Sequence, residues 1–192
     1  FINKLDRMGG SFEKSLNSVL TKLTSNAVAL QIPIGEEEKF EGIVDLLREK
    51  SYVFTGEMGR VVEEHEIPAD YVKLTKEWRN KLLEKIAGED EQLFAAYLAG
   101  AELRVEDIKR VIRKGTLAGT LVPVFCGSSL KNKGVQLVLD GVADYLPSPA
   151  DLPPVKGTNP KTGEETERKP LDEEPFSALA FKIASDPYVG TL

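Results

Sequence analysis

Phe1-Ile2-Asn3-Lys4-Leu5-Asp6-Arg7-Met8-Gly9-Gly10-Ser11-Phe12 is the stretch whose reading decides the fold. Phe1-Ile2 has the apolar character of a buried strand's end. The next eight residues are mostly polar or glycine, and then Phe12, Leu16, Val19, Leu20 and Leu23 recur at helical spacing behind Ser11, a residue suited to cap a helix. The order is strand, loop, helix. It puts the loop at the carboxyl end of a strand, where open parallel sheets bind ligands. Asp6 supplies a carboxylate that can accept from two adjacent donors, and guanine offers such a pair in N1–H and its exocyclic amine, whereas adenine does not. The aliphatic stem of Lys4 can lie over a purine face, and the Asn3 amide can tie the loop to nearby backbone and approach the N7 side of a base. At roughly 5% usage per residue an Asn-Lys-x-Asp match arises by chance in about one position per 8,000. The plainer alternative is a polar turn in which Asn and Asp serve local backbone bonds. A second signal has to decide.

Val122-Pro123-Val124-Phe125-Cys126-Gly127-Ser128-Ser129-Leu130 supplies it. An apolar strand runs into a Gly-Ser-Ser turn, and after Lys131-Asn132-Lys133-Gly134 the residues Val135, Val138, Leu139, Val142 and Leu146 predict an amphipathic helix. A backbone N–H in that turn can donate to the guanine O6, a second contact that separates guanine from adenine. The candidate base-binding residues are therefore Asn3, Lys4 and Asp6 on one loop and Ser128, Ser129 and Leu130 on the other.

With both loops in place, the sequence resembles translation elongation factor G. The segments that carry the resemblance are residues 1–10, Gln31-Ile32-Pro33-Ile34-Gly35, Gly42-Ile43-Val44-Asp45-Leu46, Ile67-Pro68-Ala69-Asp70, residues 127–136, Asp144-Tyr145-Leu146-Pro147-Ser148-Pro149, and residues 174–182. They run along essentially the whole chain. The resemblance implies that Asn3, Lys4 and Asp6 form the guanine-specificity motif. It also implies that Ser128-Ser129-Leu130 is the second guanine loop, usually Ser-Ala-Leu or Ser-Ala-Phe in that family. A hydroxyl at Ser129 replaces a methyl and leaves a backbone donor there intact.

The resemblance further implies a cytoplasmic GTPase of bacterial type, using GTP/GDP and Mg²⁺ and working on the ribosome, where it drives movement of tRNA and mRNA. A paralogous ribosome-protection or recycling factor of the same architecture, or a stand-alone module that binds the ribosomal stalk protein, are the alternatives. No Gly-x-x-x-x-Gly-Lys-[Ser/Thr] phosphate loop occurs in these 192 residues. Asp6-Arg7-Met8-Gly9 formally matches an Asp-x-x-Gly switch, but it overlaps the base loop and cannot serve both purposes. With no initiating Met, an opening inside a strand and an end after a second strand-like run, the chain reads as a fragment. No catalytic residue is expected in it, and GDP is expected to bind it very weakly. Base contacts of about 1.5–3 kcal/mol each do not offset an association cost of about 4–15 kcal/mol.

Composition narrows the remaining classes. The chain has 41% hydrophobic residues, enough for a core, and no apolar run of membrane-spanning length. Its net charge of −6 argues against a broad basic surface for RNA. The single cysteine, Cys126, ends an apolar strand and reads as a small buried hydrophobe, and His65 lies in a charged, solvated stretch. Neither residue suggests metal binding or nucleophilic chemistry.

The predicted fold class is α/β. It consists of a partial P-loop-GTPase-type parallel sheet with helices, an inserted α+β subdomain, and the first strand of a β-barrel domain. Residues 1–34 form the first segment of the GTPase domain, including a strand at 27–33. Residues 35–119 form the insertion, which the resemblance equates with the G-prime subdomain, with strands at 40–46, 51–54 and 61–65 and helices near 68–87, 89–99 and 105–117. Tyr71, Leu74, Trp78, Leu82 and Ile86 form the apolar stripe of the first of these helices, with Pro68 in its first turn and Gly88 at its end. Residues 120–147 resume the GTPase domain. Residues 148–192 are a proline-bearing linker, a polar stretch turning at residues 159–163, and a strand at 176–183 that opens the barrel. Glu77 and Glu84 lie two turns apart on one helix face, and Glu91 extends that stripe if the next helix keeps its direction. Helices of this subdomain contact the stalk protein in the family, which makes the three glutamates candidate partner-binding residues.

Overall fold

The computed structural model describes residues 1–178, 183, 185–186 and 190–191. They form a mixed α/β structure in two compact units, Phe1–Leu146 and Pro147–Leu192.

In the first unit the chain opens at Ile2, which bridges Cys126 in parallel, and passes through the 3–10 loop into helix α1, Phe12–Lys22. Ser11 occupies the N-cap position, yet its side chain makes no cap bond, and its carbonyl instead accepts from the Ser15 amide and hydroxyl. Phe12 and Leu16 are buried as predicted, while Leu20 and Leu23 are 37% and 79% exposed, so the apolar face is narrower than the spacing implies.

The strand predicted at 27–33 divides into β1, Ala27–Ala29, and β2, Gln31–Ile34, which belong to different sheets. Leu30 is the switch point. Its N–H donates to Val124 O at 3.0 Å, continuing the parallel pairing, while its C=O accepts from Leu46 N at 3.0 Å in the antiparallel sheet. Once the chain has turned away, Cys126 N lacks a strand partner on that side, and the buried Gln31 side chain accepts its proton at 3.4 Å.

Strands β3 (Gly42–Asp45), β4 (Lys50–Thr55) and β5 (Val61–His65) follow, completing a four-stranded antiparallel sheet in the order β2-β3-β4-β5. The last four residues of the predicted first segment thus pair with the segment predicted as an insertion. Ile43 and Val44 on β3, with Leu46 after it, are fully buried. Helix α2 spans Val72–Ala87, entered through a 3-10 turn at Ala69–Tyr71, so Pro68 precedes the helical turns and does not sit in them. Arg79 on α2 donates to the carbonyls of Leu46 and Leu47 and pairs with Glu49 at 3.2 Å, fixing the helix against the β3–β4 turn. Trp78 is half-buried against Phe12 with ring centroids 5.7 Å apart, under the Lys81 ammonium.

Helices α3 (Glu91–Leu98) and α4 (Val105–Ala118) come next. On α4, Ile108, Val111, Ile112 and Gly115 form a buried face at i, i+3, i+4 and i+7. Each buried aliphatic side chain is worth roughly 1.5–3 kcal/mol over leaving it exposed, so packing, more than propensity, holds this helix. Strand β6 (Val122–Val124) pairs in parallel with β1 (Ala27 with Val122, Ala29 with Val124), and α5 spans Val135–Tyr145. The buried face of α5 is Leu137, Gly141 and Tyr145, whereas Leu139, Val142 and Leu146 of the predicted stripe are exposed. Helices α1 and α2 pack on β1, and α4 packs on β6 and α5.

In the second unit, Ser148 and Asp151 form a capping box around a short 3-10 turn, and β7 (Val155–Thr158) pairs antiparallel with β8 (Glu165–Arg168). The predicted turn at 159–163 closes this hairpin: Asn159 N donates to Glu164 O at 2.9 Å and Gly163 N to Asn159 O at 2.8 Å. Short strands β9 (Ser185–Asp186) and β10 (Gly190–Thr191) pair antiparallel. Half of the strand predicted at 176–183, residues 179–182, lies outside the described residues, and residues 176–178 and 183 are not in strand.

Candidate functional site

The segment 122–126 runs between two parallel neighbours. Its β6 portion bonds to β1 on one side, and on the other Ile2 N donates to Phe125 O at 2.8 Å and Gly127 N to Ile2 O at 3.0 Å. The 3–10 and 127–134 loops therefore leave adjacent parallel strands at the same, carboxyl, end. This is the geometry that joins two loops more than a hundred residues apart in sequence.

Asn3 and Ser129 seal the junction. Asn3 Nδ2 donates to Ser129 Oγ at 2.8 Å, and Asn3 Oδ1 accepts from Ser129 N at 2.9 Å and from Lys4 N at 2.8 Å. The Ser129 hydroxyl, where a methyl is usual in the resembled family, is thereby used. The Ser129 N–H, predicted to face a guanine O6, is instead committed to Asn3. Leu130 N–H makes no hydrogen bond among the described residues.

Asp6 is 9% exposed. The Ser128 hydroxyl holds its carboxyl below the usual carboxylate range against the opposing effect of burial, aided by its own backbone N–H and by the charges of Lys131 and Arg7. Lys131 Nζ lies 3.7 Å from Asp6 Oδ2. Lys4 adopts φ 66° and is exposed, which leaves its stem at the surface beside Asp6. The two loops thus offer a carboxylate acceptor, an uncommitted amide donor and an exposed lysine stem.

The second loop is closed by reciprocal bonds between Ser128 and Lys133, each N–H donating to the other's carbonyl at 2.9 Å. Lys133 reaches back to Phe40 O at 2.8 Å, and its burial lowers the ammonium's pKa. Gln136 Nε2 donates to Gly59 O at 3.2 Å, and a Cβ on Gly59 would stand 2.7 Å from Lys131 O. Two turns of the antiparallel sheet thus brace this loop. Glu37, in the β2–β3 turn, does the same for the first: its N–H donates to Leu5 O at 2.9 Å and its Oε1 accepts from Gly9 N at 2.6 Å. Sequence reasoning assigned no role to Glu37, Lys131 or Gly59. An exposed Glu-Glu-Glu run reads as a solvated turn, and only the backbone reveals Glu37 at φ 54°.

Glu77 and Glu84 are both exposed on α2. The helical path breaks over residues 88–90, Asp90 caps a new helix by accepting from Leu93 N at 3.0 Å, and Glu91 opens that helix. Glu91 is exposed, on a helix separate from the one that carries Glu77 and Glu84. Cys126 is fully buried, and burial pushes its thiol far above the ordinary value. His65 is half exposed and 3.4 Å from Glu63. Among the described residues no helix is long and apolar enough to cross a membrane.

No family model matches the sequence. Among solved structures the chain is similar to a crystal structure of a protein from Thermus thermophilus, with TM-score 0.71 and 24% identity, over 98% of this chain and 25% of that one. The chain spans a quarter of the length of the protein it matches, and at this identity the likeness establishes the fold.

Proposed function

We propose that the two loops form the guanine-reading half of a nucleotide site, and that the chain is part of a translational GTPase resembling elongation factor G. The observation that carries this reading is the joining of the loops: Asn3 bonded to Ser129 through both polar atoms of its side-chain amide, and Lys131 of the second loop 3.7 Å from Asp6 of the first. That arrangement brings together on two adjacent loops one carboxylate and one uncommitted N–H, that of Leu130. Asp6 would accept from N1–H and the exocyclic amine, Leu130 N–H would donate to O6, and Lys4 would cover the ring. GTP and GDP are the ligands proposed. Phosphates and Mg²⁺ would be held by a phosphate loop elsewhere in the longer protein, and hydrolysis there would drive tRNA and mRNA movement on the ribosome. Exposed Glu77 and Glu84 are proposed to face the stalk protein.

The test is Asp6→Asn in the full-length protein. The amide can donate to the C2 oxygen of xanthine, while guanine loses its double acceptor, so preference should move from GTP to XTP by about 100-fold or more. A variant that hydrolyses GTP like the parent and ignores XTP would show that Asp6 does not read the base.

A further inference from the structure

Reading a base edge requires the Asp6 carboxylate to hold its direction within narrow limits, and the residues before it set that direction. Leu5, buried to 2% exposure, has both of its peptide groups tied: its N–H donates to Gly127 O at 3.2 Å, and its C=O accepts from Glu37 N at 2.9 Å. That C=O belongs to the peptide plane that also carries Asp6 N. The far end of the loop is held by the same residue, through Gly9 N to Glu37 Oε1 at 2.6 Å. Gly10 sits so close under the loop that a Cβ there would stand 2.8 Å from the carbonyls of both Lys4 and Arg7, and its N–H donates to Arg7 O at 2.8 Å, which ties residues 9–10 to residues 4–7. Glu37 itself is at φ 54°, a conformation L side chains rarely adopt, in a turn anchored by buried Phe40. A strained residue held at a loop contact, with both its backbone and its carboxylate engaged, marks a functional constraint.

We propose that Glu37 is a positioning residue for base selection: its carboxylate, by holding Gly9 at the far end of the loop, helps set the aim of Asp6. The inference rests on the guanine-site reading above. Its test uses the full-length protein with GDP and IDP, the latter lacking the exocyclic amine, in competition against a ribose-labelled fluorescent GDP. Glu37→Gly keeps the backbone N–H and relieves the positive φ, so the fold should be as stable as the parent's. GDP affinity should nevertheless fall about tenfold and the GDP-to-IDP ratio should shrink, as expected for losing one bond to a charged group. Glu37→Gln, which keeps an acceptor for Gly9 N–H, should restore both to within about threefold. Equal losses of GDP and IDP with a lowered melting temperature would mean that Glu37 only supports the fold, and unchanged affinities would mean that it does nothing for the loop. Either result overturns the proposal. Asp6→Asn is the control: if it abolishes guanine preference while Glu37→Gly has no effect, the site stands and this inference falls, and if it changes nothing both fall together.

Discussion

Gly134→Ala is the sharpest test of how the second loop is built. Gly134 precedes α5 with φ 84°, where an L side chain costs about 1–2 kcal/mol. A Cβ there would stand 2.6 Å from Cys126 O and 2.5 Å from Ile43 Cδ1. The first neighbour is backbone and cannot rotate away, and the second is the end of a fully buried side chain. Forcing a methyl into such a packed place costs about 1–3 kcal/mol more, for a total near 2–5 kcal/mol, a large share of the roughly 5–15 kcal/mol that holds a domain. Two other glycines separate the contributions. Gly119, at φ 74°, has no atom within 4 Å of where a Cβ would stand, so Ala there should cost only the backbone part, about 1–2 kcal/mol. Gly88 is at φ −66° with equally open space, and Ala there should be neutral or stabilise by up to about 1 kcal/mol. Urea unfolding of residues 1–192, followed by fluorescence of the single tryptophan, Trp78, gives all three values. If Gly134→Ala costs no more than Gly119→Ala, the close approach of the loop to β3 and Cys126 is not what the structure makes it.

Two further outcomes follow from charge. Asp6 has a folded pKa below its unfolded value, so its contribution to stability is present above about pH 4 and is lost as pH falls through the folded value. Ser128→Ala removes the largest cause and should move the Asp6 carboxyl upward in an NMR titration and flatten the acid limb of stability. An unmoved titration would show that the hydroxyl does not hold the carboxylate. Reversing Glu77 and Glu84 to Lys in the full-length protein should slow stalk-dependent association with ribosomes at low salt, where exposed charges act over about 10 Å or more, and leave nucleotide binding intact. Equal stopped-flow rates for parent and double variant would dismiss the acidic face as a docking surface.

What the sequence reveals of this fold depends on whether one face of an element is chemically distinct. The Leu74, Trp78, Leu82, Ile86 stripe of α2 is legible because apolar and polar residues segregate at the right period. Helix α5 is apolar on nearly every side, so periodicity cannot choose its buried face. The choice is made by Gly141, where a Cβ would stand 2.2 Å from the Phe125 ring, and a glycine has no weight in a hydrophobic pattern. The β7–β8 strands escape notice for the opposite reason: almost all of their residues are exposed, so no alternation marks them and only the closing turn is readable. At the candidate site, the residue types proposed to meet a base are visible in the sequence. Their wiring is not, because Asn3 captures the Ser129 N–H and leaves that of Leu130 free only once the strands are side by side.

The split at Leu30 explains why the antiparallel sheet belongs to the support of the candidate site. An insertion joined to its host by two flexible connections would leave the base loops free of it. Here the chain passes from one sheet to the other within a single residue, with Leu30 N–H bonded in the parallel pair and its carbonyl in the antiparallel one. The orphaned Cys126 N–H just before the second loop is met by Gln31, the first residue of β2. The β2–β3 turn then reaches both loops, Glu37 to Leu5 and Gly9 and the Phe40 carbonyl to Lys133, while Gly59 from the next turn abuts Lys131 and Gln136. Each contact involves a backbone group or a buried side chain, which packed structure lets shift only as a unit. The direction of Asp6 is therefore set as much by residues 31–59 as by the parallel strands that carry the loops.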